Sequence, residues 1–206
     1  MIGLVEKLYR TCDLTDDELA VLIGTDGKEA AELLKRRADE VRRREYGSKV
    51  YLRGLIEISS YCRNDCFYCG IRRSNSDAER YRLSHEEILA CCENGYGLGF
   101  RTFVLQGGED GSFTDDVMCG IISDIRAKFP DCAITLSLGE RSRSSFEQMK
   151  NAGADRYLLR HEAASQELYS KLHPSEMSLE NRKNCLFTLR EPVSYTHLTL
   201  PTILLV

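Results

Sequence analysis

The chain has 206 residues, 42% of them hydrophobic and 29% charged, enough for a soluble domain with a real core. Its 28 Lys and Arg against 32 Asp and Glu leave a net charge of -4, which offers no basic excess for nucleic acid and no acidic tail to act as a solvated arm. No apolar run approaches the ~18 residues that span a membrane, and nine cysteines, an odd number, argue against a secreted disulfide framework and for a reducing cytoplasm.

In chain order, Met1 to Arg10 reads as an amphipathic helix and not as a signal peptide. Thr15 with Glu18 fits a capping box ahead of Leu19, Leu22 and Ile23. A longer helix is predicted over Lys28 to Tyr46, with Leu33, Leu34, Ala38 and Val41 at helical spacing. Arg42, Arg43 and Arg44 fall near its C-terminus, where the helix dipole favours cations, and read as a solvated helix end. Residues 1–47 are therefore expected to form a helical N-terminal extension.

From Val50 the pattern becomes strand, loop, helix, repeated within a core spanning 48–192. The expected strands are Val50 to Ser59, Thr102 to Gln106, Ala133 to Leu138 and Asp155 to Arg160. Helices follow from Ser84 (with Glu87 as capping partner), from about Thr114 to Lys128, from near Ser144, and then over Gln166 to Leu172 and Ser178 to Arg190. Such alternation means parallel strands joined by crossover helices. The strands are not apolar throughout: Arg53, Leu55, Glu57 and Ser59 share one face against Ile56 and Ile58 on the other, and Thr135 and Ser137 oppose Ile134 and Leu136. A doubly wound sheet would bury both faces, so one polar face implies the inside of a barrel enclosing a ligand cavity. All four strands end in polar clusters at their C-terminal ends, the rim on which parallel α/β barrels build their active sites.

After Pro192 the pattern fails. Residues 193–206 have neither alternation nor helical period and are read as a non-native tail, so His197 is not taken as a candidate ligand. A complete eight-unit barrel needs about 250 residues. The expectation is an N-terminal fragment holding about four units, with raw sheet edges that favour poor solubility or dimerisation.

Cys62, Cys66 and Cys69 carry the sharpest signal, with the spacing C-x3-C-x2-C on one short loop. Three thiolates of this kind suit an iron–sulfur cube with one iron free of protein ligands. A zinc site completed by a residue such as His85, and a redox pair of Cys66 with Cys69, are the alternatives that spacing leaves open. The other six cysteines are expected to be buried small hydrophobes. Gln106-Gly107-Gly108-Glu109 after the second strand would let a backbone approach a ligand closely and suits an ammonium group. Glu140, Arg160, Glu162 and Arg182 could meet a carboxylate and ribose hydroxyls, with His161 as a hydrogen-bonding support. S-adenosylmethionine carries an amine, a carboxylate and a ribose together.

With these residues in place, the sequence resembles the radical S-adenosylmethionine (radical SAM) superfamily, and within it the HydE-type maturases of the [FeFe]-hydrogenase H-cluster, relatives of biotin synthase and methylornithine synthase. The resemblance rests on Tyr-Cys-Arg-Asn-Asp-Cys-Phe-Tyr-Cys-Gly-Ile-Arg-Arg, Phe-Arg-Thr-Phe-Val-Leu-Gln-Gly-Gly-Glu-Asp and Gly-Ala-Asp-Arg-Tyr-Leu-Leu-Arg-His-Glu. It implies the N-terminal part of a radical SAM TIM-type (β/α) barrel. It further implies that Cys62, Cys66 and Cys69 ligate a [4Fe–4S] cluster and that Tyr68 lies near the adenine. Gly107, Gly108 and Glu109 would receive the methionine amine, Arg182 its carboxylate and Glu162 the ribose, while Thr135 and Arg160 would line the substrate cavity. The implied chemistry is reductive cleavage of S-adenosylmethionine to a 5′-deoxyadenosyl radical, acting on a small-molecule or organometallic substrate, with other hydrogenase maturases as partners. A biotin-synthase-like sulfur insertion is a second reading, set back because Cys132 stands at the wrong end of the third strand; a non-catalytic zinc or cluster-binding module is a third.

Overall fold

A computed structural model describes residues 1–190, so the expected tail at 193–206 lies outside the described residues. The chain divides into two compact units, residues 1–51 and 52–206.

The first unit is helical: α1 (Ile2–Thr11), α2 (Asp16–Ile23) and α3 (Lys28–Tyr46). α2 opens on the expected capping box, with Thr15 Oγ1 accepting the Glu18 N–H and Glu18 returning to the Thr15 N–H. Little of this unit is buried beyond Val5, Leu22 and Ala30. Ion pairs join its helices, Lys7 to Glu18 at 2.6 Å and Arg37 to Glu6 at 2.8 Å. Arg42 and Arg43 both pair with Asp39, as a solvated helix end allows.

The second unit is built on a parallel sheet of β1 (Gly54–Ser59), β2 (Thr102–Gly107), β3 (Ala133–Ser137) and β4 (Arg156–Tyr157), in that spatial order. The crossovers carry α4 (His85–Gly97), α5 (Asp115–Lys128) and α6 (Arg143–Asn151), and α7 (Gln166–Leu172) and α8 (Leu179–Arg190) follow β4. Ser84, Thr114, Ser142 and Ser165 cap α4 to α7, each side chain accepting an N–H of the first turn. One sheet face carries Ile56, Ile58, Phe103, Leu105, Ile134 and Leu136, which join Ile88, Ile122, Ile125 and Phe146 from the helices in one continuous core. On the other face, register aligns Leu55, Val104, Thr135 and Arg156 in one row and Glu57, Gln106 and Ser137 in the next.

Three expectations need correction. β1 begins at Gly54 and not at Val50; Val50, Tyr51 and Leu52 are exposed and gain nothing from a ladder. β4 is only two residues long, although the Leu158 N–H still reaches Leu136 O at 2.7 Å, because β3 is its sole neighbour among the described strands. Of the six scattered cysteines, Cys92 and Cys132 are buried, but Cys12 and Cys91 are exposed and Cys119 and Cys185 half-buried.

Candidate cofactor site

The C-terminal ends of the strands open into a cavity of about 610 Å³. Each strand delivers residues to it: Cys62, Cys66 and Cys69 after β1, Gly107, Gly108 and Glu109 after β2, Ser137 and Gly139 at β3, and Arg160 and Glu162 after β4. Tyr68 and Arg182 complete this set. Thr135 does not line the cavity; it is buried on the same sheet face with its Oγ1 unpartnered among the described residues.

The cysteine loop has no regular secondary structure but is tied at many points. The Arg80 guanidinium donates to the carbonyls of Ser60, Ile71, Arg72 and Asn75, gathering both ends of the loop around one planar cation. Ser60 Oγ donates to Glu79 O and accepts the Tyr81 N–H at 2.8 Å. The Phe67 N–H donates to Leu172 O at 3.0 Å, and Cys66 Sγ lies 3.6 Å from Met177 Sδ. Burial, then the neighbouring Cys62 and Cys69, push the Cys66 thiol up to about 11. A cationic metal centre would relieve that repulsion and hold the thiolates.

The turn after β2 packs directly on this loop. A Cβ at Gly108 would overlap Tyr61 O and approach Cys62 Cβ to 2.7 Å, so only glycine permits the contact. The Glu109 N–H points at Cys62 Sγ, 3.4 Å away. Glu109 is already committed elsewhere: its carbonyl accepts the Arg63 N–H, Oε2 accepts from Arg63 Nε at 2.9 Å and Oε1 accepts the Glu140 N–H at 2.9 Å. Behind the turn, Asp110 is buried, accepting from Ser59 Oγ at 2.6 Å and from Arg82 Nε at 2.6 Å. Burial alone would raise its pKa, but the Arg82, Ser59 and Ser112 hydrogen bonds outweigh it and hold the carboxyl at about 2.

On the far side, Gly139 takes φ +78°, and a Cβ there would overlap the Glu109 side chain. Burial raises the Glu140 carboxyl; its Oε1 lies 2.9 Å from Nε of the buried Arg182. Glu162 adopts φ +67°, an uncommon backbone for a non-glycine residue, at the lip of the cavity. Tyr68 Oη is 3.4 Å from His173 Nε2; the His173 ring is buried, stacked on Tyr169 at 4.0 Å, with Nδ1 3.0 Å from Tyr169 O. Burial, then the Glu162 charge, push the Tyr68 phenol up. The His161 carbonyl accepts the Ala163 N–H at 2.9 Å, and no partner for its ring is recorded among the described residues.

Asp110, Ser59, Arg82, Arg80 and His173 were not singled out from sequence. Asp110 stands immediately after the Gly-Gly-Glu run, which is the available signal; nothing in the sequence marks Arg80 or Arg82.

The donor set fits a cluster better than a lone ion. Three thiols of one loop face one cavity, with no other cysteine on its lining. His85 does not line this cavity and lies 3.0 Å from Asp124 Oδ2.

The chain belongs to the radical SAM superfamily, whose model matches residues 56–203; members of this family use a [4Fe–4S] cluster and S-adenosylmethionine. It is 44% identical over 188 residues to the [FeFe] hydrogenase maturase subunit HydE of Thermotoga maritima, covering 91% of this chain and 53% of that protein. It is 32% identical over 181 residues to 3-methylornithine synthase of Methanosarcina acetivorans, covering 87% of this chain and 51% of that protein. The crystal structure of methylornithine synthase (PylB) superposes with a TM-score of 0.79 at 28% identity, covering 94% of this chain and 57% of that one. The fold is thus part of a radical SAM TIM-type barrel. The chain spans about half the length of the curated relatives it matches. Among the described residues no helix is long and apolar enough to cross a membrane.

Proposed function

We propose that this chain carries the cofactor half of a radical SAM enzyme acting in [FeFe]-hydrogenase H-cluster assembly. The convergence of Cys62, Cys66 and Cys69 with the Gly107-Gly108 turn, Arg182 and Glu162 on one cavity carries this reading. In it the three thiolates hold a [4Fe–4S] cluster, which when bound supplies the electron that cleaves the sulfur–carbon 5′ bond of S-adenosylmethionine.

The remaining roles belong to the chain's own groups. The Gly107 and Gly108 backbone meets the methionine amine, and Glu109 braces that turn through Arg63 and the Glu140 N–H. Arg182, its charge kept inside by Glu140, pairs with the carboxylate. Glu162 accepts from the ribose and Tyr68 borders the adenine. Arg160 at the rim belongs to the substrate side. The identity to HydE favours a small-molecule or organometallic substrate and other hydrogenase maturases as partners. Nine unpaired thiols suit a reducing cytoplasm. Cys132 lies before β3, away from the cavity, so among the described residues the biotin-synthase-like reading has no nearby thiol for a second cluster.

The test is anaerobic reconstitution with iron and sulfide, reduction, and addition of S-adenosylmethionine. The expected product is 5′-deoxyadenosine; a tightly held Zn²⁺ with no labile sulfide would overturn the reading.

A further inference from the structure

We infer that Asp110 is a positioning residue: through Ser59 and Arg82 it fixes the Tyr61–Cys62 peptide before any cluster is loaded. The inference rests on the reading of Cys62 as a cluster ligand and adds how that ligand is placed.

The geometry runs in one line. At Ser59 the β1–β2 register shifts, so the strand end is bent and its hydroxyl turns toward Asp110. Ser59 Oγ donates its only proton to Asp110 Oδ2 at 2.6 Å. That leaves a lone pair to accept the Tyr61 N–H at 3.1 Å, one residue before Cys62. Arg82 closes the other side: it pairs with both Asp110 oxygens, at 2.6 and 3.1 Å, and its guanidinium lies 3.7 Å over the Tyr61 ring. Arg82 is itself set by an antiparallel bridge to Ser59. Tyr61 is thus held by backbone and by ring, and both holds end on one buried carboxylate.

The two residues before Asp110 act on the following peptide, Tyr61–Cys62. Gly108 leaves no slack against Tyr61 O and Cys62 Cβ, and the Glu109 N–H points at Cys62 Sγ. Three consecutive residues of the β2 turn therefore define where Cys62 sits. A carboxylate at 110 is specific to this task because it can only accept. Arg82 donates to both oxygens, so an amide must turn its NH2 against a donor in either orientation and loosen the hold on Ser59.

The test uses Asp110→Asn and Ser59→Ala in the whole chain, read first without metal. Hydrogen exchange at the Tyr61–Cys62 segment should speed up by about ten-fold or more in both variants, the loss expected when one buried hydrogen bond is removed. The β2 amides of Phe103 to Leu105 should stay protected. Alkylation of Cys62, counted by mass spectrometry against exposed Cys12, should rise in both. Ser59→Ala leaves the Arg82–Asp110 pair intact and keeps the test clear of gross unfolding. Unchanged exchange and alkylation in Ser59→Ala would overturn the inference, as would a loss of protection spread equally over β2. Iron uptake is read separately: a wild-type chain that forms no iron–sulfur chromophore refutes the cluster reading, whereas normal uptake with indifferent variants refutes only the role of Asp110.

Discussion

The two faces of the parallel sheet are made by the same strands and do opposite work. Outward, Ile58, Leu105, Ile134 and Leu136 are fully buried against α4, α5 and α6. Inward, Leu55 and Glu57 are exposed and Gln106 and Ser137 half-buried and polar, with Val104 and Thr135 buried in the row of Leu55. Side chains alternate along a strand, so stability and chemistry are separated residue by residue. The outer face tolerates little change in volume; the inner face can change chemistry without changing the fold. Every prediction below tests that separation.

The largest effect is expected outside. Leu136→Ala removes a fully buried side chain from the middle of the core, and should lower unfolding free energy by about 2–5 kcal/mol. Urea denaturation measures it. A loss under 1 kcal/mol would mean the outer face is not the structural one.

Gly108→Ala is next and sits where the two functions meet. The added methyl has no room beside Tyr61 O and Cys62 Cβ, and overpacking of this kind costs roughly 1–3 kcal/mol. Its sharper consequence is local: the cysteine loop must move off the β2 turn. Iron and sulfide per chain after anaerobic reconstitution should fall well below wild type, while far-ultraviolet circular dichroism is retained. Full loading would show that the loop finds its place without the turn.

Asp110 gives a pH signature. Its pKa falls from 3.8 to about 2 in the folded chain, since three hydrogen bonds outweigh the opposing cost of burial. A depressed carboxylate stabilises the fold above its unfolded value and loses that contribution as pH drops toward 2. The amount is on the order of 2 kcal/mol. Denaturation of wild type and Asp110→Asn at stepped pH should therefore show a gap that is full above about pH 5 and narrows steadily below pH 4. A gap independent of pH would place the effect in packing and not in charge.

Much of this was legible in sequence, and the pattern of success is physical. Capping residues and periodicity are local, so α3 and α7 emerge with their bounds and α2 and α4 with their starts, and alternation in β1 and β3 assigns the faces correctly. The cysteine spacing is local as well. The network behind it is not. Ser59 meets Asp110 across 51 residues and Arg63 meets Glu109 across 46, and no periodicity encodes which charges will be buried together. Glu109 shows the consequence: its motif suggests an amine, but not that its two carboxylate oxygens also accept from Arg63 and the Glu140 N–H. β4 read too long for a related reason, because apolar Leu158 and Leu159 look like strand residues whether or not a second neighbour pairs with them.

The smallest stability effect is expected at Glu57, and it is the most discriminating. Glu57 lines the cavity from the inner face, and among the described residues its side chain accepts one long hydrogen bond, from Gln106 Nε2 at 3.4 Å. Glu57→Gln keeps the shape and removes the charge, so unfolding free energy should stay within about 0.5 kcal/mol of wild type. S-adenosylmethionine binding, followed by equilibrium dialysis on the reconstituted chain, should also change little, because Glu57 lies a row below the turn of Gly107 and Gly108. What should change is the charge that a substrate meets beneath the cofactor. A stability loss above about 1 kcal/mol would make Glu57 part of the scaffold and erase the division between the faces. A large loss of S-adenosylmethionine affinity would instead extend the cofactor contacts down the strand, below the rim where all the other proposed contacts to it are found.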